Sequence, residues 1–322
     1  MRSLRGVTCS ALNLKDLKAA HKRGEPIVIQ AVEGGHFLEG HLDRLEVAYK
    51  RGLRVLGLLH DSDASVPLGD IYTAPAHLGG LTEFGANVIK ECNRLGILVD
   101  LTHASASTVA AALKVSTKPV VFSHTGLDTR LGNNVSMGQM MRPRLISKEG
   151  AKAIADAGGV MGVWTHLVDS TAEYVQAVRD MADVVGIDHV CIGTDTKLTQ
   201  GNNPGGFGGP GGGRPNGGPD GGSGGGPNRG PDGGPNDGRP GGGPGFGGPD
   251  GGRRGPGQGG GPAGGRGRGG GRTNQAWADQ KVGFYYAVVQ QMVIQGFTPA
   301  EISKLGGVNF CRVFDAATFS HP

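Results

Sequence analysis

The sequence predicts an α/β fold in which parallel strands alternate with helices. Apolar, β-branched runs alternate with segments whose apolar residues recur at helical spacing, and no tight hairpin turn separates consecutive runs. Strands that alternate with helices form parallel β-α units. Such strands are covered on both faces, so each one reads as a continuous apolar run. About 250 of the 322 residues have this character, which is enough chain for a sizeable core.

Six apolar runs are the candidate strands. In chain order they occupy residues 26–34, 53–60, 96–103, 118–124, 159–166 and 188–195. The segments between them have helical periodicity, and several end on glycine, a common helix stop. An open doubly wound sheet needs no more than six strands, whereas a closed β/α barrel needs eight. The number of strands alone therefore leaves the architecture open.

Residues 273–322 contain two further predicted helices, which we expect to complete the folded core formed by residues 1–200. The second of them has a clear helix start. Thr298 is placed to be the N-cap, Pro299 occupies the first helical position, and Glu301 completes a capping box.

Residues 201–272 are mostly glycine with many prolines. They carry four more arginines than aspartates, and this excess equals the net charge of +4 of the whole chain. The segment has no fixed repeat period, which excludes collagen. Its composition cannot bury enough apolar surface to offset chain entropy, so we expect a disordered insertion that adds little to stability. The run "RGRGGGR" resembles nucleic-acid-binding segments, but only Phe207 and Phe246 could stack on bases, which argues against nucleic-acid binding.

The remaining composition narrows the class of protein. The four cysteines, Cys9, Cys92, Cys191 and Cys311, form no CxxC pair, so a disulfide framework is not expected. No apolar run is long enough to form a transmembrane segment. The first residues lack the apolar stretch of a signal peptide.

Polar residues stand where five of the predicted strands end: Glu33, His60, His103, His124 and Asp195. In parallel β/α folds the carboxyl ends of the strands share one face, where active sites form. Any one of these histidines alone could be a half-buried loop residue with satisfied hydrogen bonds. Five such residues together predict a functional site. Because neutral imidazole and carboxylate both bind zinc, Glu33, His103 and His124 are candidate ligands of a divalent metal ion.

Several of these segments together resemble the membrane (renal) dipeptidase family, peptidase family M19. They are "VEGGH", "GLLH", "GGLTEFGANVIKECNRLGILVDLTHAS", "PVVFSHT", "AGGVMGV", "CIGTD" and "GFTPAEISKLGGVNFCRVF". The resemblance covers residues from about 26 to 200 and from 273 to 317. The long match around "NRLGILVDLTH" is specific, whereas "VEGG" alone would be weak.

The resemblance implies a (β/α)8 barrel that binds two zinc ions (Zn²⁺). It also implies that the protein hydrolyses dipeptides through a metal-bound hydroxide. It also implies a role for six residues: Glu33 bridges the two ions, His103 and His124 bind the second ion, His60 polarises the substrate, Asp195 handles the proton, and Arg144 contacts the substrate. The implied partner is a dipeptide substrate, and a homodimer is left open.

The sequence departs from the family's pattern at three places. The family begins with an H-x-D pair that binds the first metal ion, and no such pair precedes Glu33. The letters "HLD" occur at 41–43, but they lie beyond Glu33 in a helical pattern, where residues two apart face different directions. The family's second acidic residue in "SDFDG" is replaced by Lys197, and Arg144 is followed by Leu145 where the family has asparagine.

Placing the six strands on the family leaves its first two strands unmatched, together with the H-x-D pair. We therefore expect residues 1–200 to hold strands three to eight, in a chain truncated at its N-terminus. An export signal would have been lost with the missing part, so both an exported and a cytoplasmic location remain open. We expect such a chain to bind at most about one zinc ion tightly and to hydrolyse dipeptides weakly. The alternative is a catalytically inactive dipeptidase-like protein that acts as a binding or structural module.

Overall fold

In the part of the chain that the structure describes, six parallel strands form one sheet, and their order in the sheet is their order in the chain. They are β1 (Gln30–Glu33), β2 (Leu53–Gly57), β3 (Leu98–Asp100), β4 (Val121–Thr125), β5 (Val160–Val163) and β6 (Val190–Ile192). A doubly wound sheet reverses its strand order at a switch point. Consecutive order throughout is instead the arrangement of a β/α barrel wall.

The structure is a computed structural model that describes residues 10–196 and 283–319, all within one compact unit. The predictions made for the glycine-rich residues 201–272, for Lys197 and for Cys9 lie outside the described residues. Within them, Cys92, Cys191 and Cys311 are free thiols. None of the described helices is both long and apolar enough to cross a membrane.

The strands are shorter than the apolar runs that predict them. The run at 26–34 contributes only Gln30–Glu33 to the sheet, and the run at 96–103 contributes only Leu98–Asp100. The rest of each run lies beside the sheet or in the loop that leaves it. The expected burial of strands on both faces is wrong for β1, whose four residues are all exposed. The reason is its edge position, since β2 is its one partner strand in the described sheet.

Helices separate successive strands, as the periodicity predicts. The helices of the described residues are α1 (Leu14–Arg23), α2 (Arg44–Lys50), α3 (Glu83–Leu95), α4 (Ala106–Val115), α5 (Val135–Met141), α6 (Lys148–Asp156), α7 (Thr171–Val185), α8 (Phe284–Ile294), α9 (Pro299–Ser303) and α10 (Asn309–Thr318). The N-cap side chains of α3, α4, α6 and α7 each accept a hydrogen bond from a backbone N–H of the first turn, which fixes where these helices begin.

Helix α10 packs against the end of the sheet opposite to the strand-end residues. The capping box at Thr298 and Glu301 is confirmed, and a kink at Gly307, which has a φ of 156°, separates α9 from α10. Val313 and Phe314 of α10 pack against a layer of buried strand residues near the beginnings of the strands. Asn309 is buried and donates hydrogen bonds of 2.7 Å to the carbonyls of both Ile187 and Val190. The carboxyl ends of the strands are thereby left to form the site.

Candidate metal centre

The sheet delivers four candidate metal ligands to the carboxyl ends of neighbouring strands. Glu33 is the last residue of β1, and His124 is the next-to-last residue of β4. His60 and His103 lie three residues beyond the ends of β2 and β3. Because the strands are parallel and adjacent, their carboxyl ends lie together at one end of the sheet. The four side chains therefore project into the same space.

The Glu33 carboxylate is the point on which the three imidazoles converge. Its Oε1 lies 2.8 Å from Nε2 of His103 and 3.4 Å from Nε2 of His124. Its Oε2 lies 3.9 Å from Nε2 of His60. The ligand atoms of Glu33, His60 and His103 all lie within 4.8 Å of one another, a spacing at which one ion could contact all three.

The turn after Glu33 explains the glycine of the "VEGG" motif. Gly34 has a φ of 90°, which an L-residue rarely adopts. A Cβ at Gly34 would come within 2.5 Å of Nδ1 of His36 and 3.2 Å of Cβ of His60. A side chain at this position would therefore clash with the ring of His36 and press against Cβ of His60.

The turn that carries His103 is fixed by a buried carboxylate. Asp100 accepts hydrogen bonds from the backbone N–H and the hydroxyl of Thr102, at 3.0 and 2.8 Å, and from the backbone N–H of Ser123 at 3.1 Å. His103 itself has a φ of 71°, in the left-handed region. Such a conformation costs energy for a residue other than glycine, so it persists only where the surroundings impose it. Asp195, with a φ of 49°, is a second site residue in this region.

The second ring nitrogen of His103 has two partners of its own. Its Nδ1 lies 3.0 Å from Oδ1 of Asp61 and 2.9 Å from the hydroxyl of Tyr72. The other oxygen of Asp61 accepts a hydrogen bond of 2.6 Å from Nη2 of Arg144. Through Asp61, the predicted substrate-contacting arginine is therefore joined to the predicted metal centre.

Mutual electrostatic effects set the charges of these groups. The hydrogen bond from His103 holds the pKa of Glu33 below its usual value, although partial burial opposes this, and the charges of His124 and His60 add to the lowering. Burial disfavours the charged form of His103, but its hydrogen bonds to Glu33 and Asp61 outweigh burial and raise its pKa. Burial raises the pKa of Tyr72, so its hydroxyl stays protonated. At neutral pH the centre therefore presents an ionised carboxylate to three imidazoles.

The donor set fits a divalent metal ion. Nε2 of His103 and Oε1 of Glu33 are both acceptors when the imidazole is neutral and protonated on Nδ1, and at 2.8 Å two lone pairs would repel. A proton or a cation must therefore lie between them. Imidazole nitrogen and carboxylate oxygen are both ligands that zinc prefers. The residues present can thus hold such an ion, with Asp61 as the acceptor for the opposite ring nitrogen.

Asp195 and His166 form a second polar group at the carboxyl ends of the strands. Oδ2 of Asp195 lies 2.6 Å from Nε2 of His166, which follows β5. Burial raises the pKa of Asp195, but the hydrogen bond from His166 and the charges of His124 and His103 outweigh it, so the net pKa is lowered. Trp164 lies between the two groups, with its ring centroid 4.8 Å from that of His166 and 6.5 Å from that of His124.

The structure brings the sequence-predicted residues Glu33, His60, His103 and His124 into direct proximity. Arg144 reaches the group through Asp61, and Asp195 reaches it through its electrostatic interaction with His124 and His103. His41 does not join this centre, but the reason given from the sequence is wrong: residues 41–43 precede α2 and are not helical.

Sequence reasoning missed three residues of the site: Asp61, Tyr72 and His166. His166 could have been found, because the run "GVMGVWTH" ends on a histidine like the runs that ended on His103 and His124. Asp61 directly follows His60, but nothing in the local pattern shows that it reaches His103 across 42 positions of sequence. Tyr72 lies in a long loop without periodicity, and no sequence signal identifies it.

Comparison with known sequences gives one family and a related curated protein. The sequence profile of membrane dipeptidase (peptidase family M19) matches residues 7–208. Dipeptidase 3 of Mus musculus is 32% identical over 168 residues, which is 50% of this chain. The match covers 33% of the mouse protein, so the chain spans about a third of the length of that relative.

Solved structures share the fold at low sequence identity. An amidohydrolase from Pseudomonas aeruginosa superposes with a TM-score of 0.66 at 19% identity, covering 96% of this chain and 78% of that one. The probable dipeptidase PvdM from the same organism gives 0.64 at 17% identity, covering 96% and 74%. A structure described as the dipeptidase AC, a metallo peptidase of family M19, gives 0.62 at 17% identity, covering 98% and 71%.

Proposed function

The chain belongs to the membrane dipeptidase family, peptidase family M19, and on this premise we propose that it is a zinc-dependent dipeptidase. One observation carries the proposal: three imidazoles converge on the carboxylate of Glu33 at the carboxyl ends of adjacent parallel strands. Active sites of β/α barrels form at this edge. The name of the curated relative, Dipeptidase 3, and the description of one solved structure as a metallo peptidase support the same reaction class.

Glu33, His103 and His124 would hold the metal ion, as the sequence predicts. His60 stands close enough to Glu33 to contact the same ion or the substrate beside it. A zinc ion bound there would polarise the peptide carbonyl and lower the pKa of a water molecule towards 7. We propose that one ion binds tightly, because Glu33 is the carboxylate in the cluster of Glu33, His60 and His103, and the nearby Asp61 is paired with Arg144.

The other residues would act on the substrate. His60, on the open side of Glu33 and with its side chain 44% exposed, is placed to donate a hydrogen bond to the carbonyl oxygen as negative charge develops on it. Arg144 would bind the terminal carboxylate of the dipeptide, since guanidinium and carboxylate form strong charge-assisted hydrogen bonds. Asp195, a carboxylate that is ionised at neutral pH, would accept a proton and pass it to the leaving amine.

We further propose that β1 to β6 correspond to strands three to eight of the family's barrel. The consecutive order of the six strands supports this placement. From composition alone, we propose that residues 201–272 are an insertion that follows the last of these strands.

A second candidate function is a catalytically inactive binding module with the same fold. It is favoured by the engagement of two of the three carboxylates near the centre: Asp61 is paired with Arg144 and Asp195 with His166. If both pairs persist with a substrate present, Arg144 is not free to bind the substrate and Asp195 is not free to transfer a proton. The cluster would then retain only a ligand-binding role.

Hydrolysis of an unmodified dipeptide such as Ala-Ala by the full chain, with zinc and after chelation, tests the proposal. We expect zinc-dependent hydrolysis that His103→Ala abolishes and that His21→Ala, an exposed position on α1, leaves unchanged. Zinc bound at the wild-type level with no hydrolysis would support the inactive module. Hydrolysis that survives both chelation and His103→Ala would contradict the metal-dependent reaction.

A further inference from the structure

One carboxylate links the metal side of the centre to its substrate side. The two oxygens of Asp61 are divided between two partners: Oδ1 lies 3.0 Å from Nδ1 of His103, and Oδ2 lies 2.6 Å from Nη2 of Arg144. Turning the carboxylate to improve one contact would break the other. The three side chains therefore hold one another in a single arrangement, and Asp61 is the member common to both contacts.

The contact with His103 selects one form of its ring. An ionised carboxylate can only accept a hydrogen bond, so Oδ1 of Asp61 requires the ring proton to sit on Nδ1. If a metal ion took the place of the proton that Nε2 donates to Glu33, the lone pair on Nε2 would face that ion. The hydroxyl of Tyr72 also lies near Nδ1, at 2.9 Å, but a hydroxyl can donate as well as accept and cannot make this selection.

The contact with Arg144 orients a flexible side chain. Arg144 follows α5, and in addition to Asp61 its guanidinium contacts the carbonyl of Met140 at 3.3 Å. The Arg144 side chain is 24% exposed, so it is accessible from the open side of the centre. An arginine held by a charged partner loses less rotamer freedom when it binds a ligand than an unrestrained one would.

We propose that Asp61 is a positioning residue that presents Nε2 of His103 to the metal ion and at the same time aims the guanidinium of Arg144 at the substrate carboxylate. This inference rests on the proposed function. It assigns Asp61 no contact with the metal ion or with the reacting atoms, because both of its oxygens are engaged by side chains.

Zinc affinity, measured by competition with a chromophoric chelator on the full chain, tests the His103 half. We expect Asp61→Ala to weaken zinc binding by about 10- to 100-fold, the usual effect of removing a group that orients a metal ligand. Asp61→Asn keeps an oxygen that can accept from Nδ1, so it should restore much of the affinity. Tyr72→Phe should cost less than Asp61→Ala, and Asp63→Asn, whose partner is His77, should match wild type.

Equal zinc affinity in wild type and in Asp61→Ala, with both proteins folded by circular dichroism, would overturn this half while leaving the proposed function intact. A larger loss in Tyr72→Phe than in Asp61→Ala would overturn the selection of the ring form by the carboxylate. A wild-type chain that binds no zinc would overturn the proposed function, and the inference with it.

Steady-state kinetics of dipeptide hydrolysis at saturating zinc tests the Arg144 half. Asp61→Asn removes the charge that holds Arg144, so we expect KM to rise at least about fivefold, with a smaller change in kcat. In the Arg144→Ala background the same substitution should leave KM unchanged, because the residue it positions is gone. An unchanged KM in Asp61→Asn, or the same rise in both backgrounds, would overturn this half.

Discussion

Replacing Glu33 with glutamine is the perturbation that bears most directly on the centre. The substitution keeps the shape of the side chain and removes the charge on which three imidazoles converge, at 2.8, 3.4 and 3.9 Å. We expect the Glu33→Gln protein to fold and to respond much less to zinc. The readout is the increase in Tm that zinc produces, since a ligand that binds only the folded state raises its stability.

The expected size follows from the geometry. Contacts with a charged group are worth about 1.5–3 kcal/mol, and the lower part of this range applies because the Glu33 side chain is 44% exposed. A loss of about 1.5–2 kcal/mol weakens zinc binding by roughly 10- to 30-fold. Zinc at about 100 times the wild-type Kd stabilises wild type by about 2.7 kcal/mol, which raises Tm by about 5–10 °C for a domain of this size. In Glu33→Gln the same zinc concentration should raise Tm by about a third to a half as much.

Thermal unfolding of the two full-length proteins, each with and without zinc, measures both shifts. His21→Ala is the matched control, because it removes an exposed imidazole outside the centre and should keep the full zinc shift. A zinc shift in Glu33→Gln equal to that of wild type would refute the reasoning, since the carboxylate would then not contribute to the ion's site. A zinc shift lost equally in His21→Ala would show that zinc acts elsewhere on the surface.

Three further predictions concern the reaction, the core and pH. Asp195→Asn should lower kcat by about 100- to 10,000-fold while zinc affinity stays at the wild-type level, and an unchanged kcat in steady-state assays would exclude its role in proton transfer. Asn309→Ala leaves the carbonyls of Ile187 and Val190 without this donor and should destabilise the fold by about 1–3 kcal/mol in urea unfolding, whereas Asn133→Ala, whose contacts are 3.3 Å or longer, should have little effect. Zinc affinity should fall as the pH falls through the raised pKa of His103, because a proton on Nε2 competes with the ion; an affinity independent of pH would contradict this ligand assignment.

The strand-end residues could be predicted from local sequence pattern because a single geometric rule relates the ends of parallel strands. A buried strand of a parallel sheet ends at the edge where its neighbours end, so the residues that follow the apolar runs come together whatever the intervening helices are. Glu33, His103 and His124 needed no knowledge of the loops. The same rule applied to "GVMGVWTH" would have found His166.

Loop geometry set the rest of the site and could not be predicted. Asp61 reaches both His103 and Arg144 because the loop after β2 folds back over the centre, and that path depends on long-range contacts. Buried Asp70 holds this loop by accepting hydrogen bonds from the backbone N–H groups of Leu78 and Gly80, at 2.9 and 2.7 Å. Burial of β1 was also predicted wrongly, because apolar character shows that a strand suits a sheet and not whether it lies at the edge.

Anomalous diffraction at the zinc absorption edge, from crystals of the full chain grown with zinc, tests the central claim most directly. We predict an anomalous peak at about 2.0–2.2 Å from both a Glu33 carboxylate oxygen and Nε2 of His103, with His124 or His60 completing the coordination. Density for zinc only at other positions, with Glu33 and His103 still in direct contact, would contradict the assignment of this centre as the metal site.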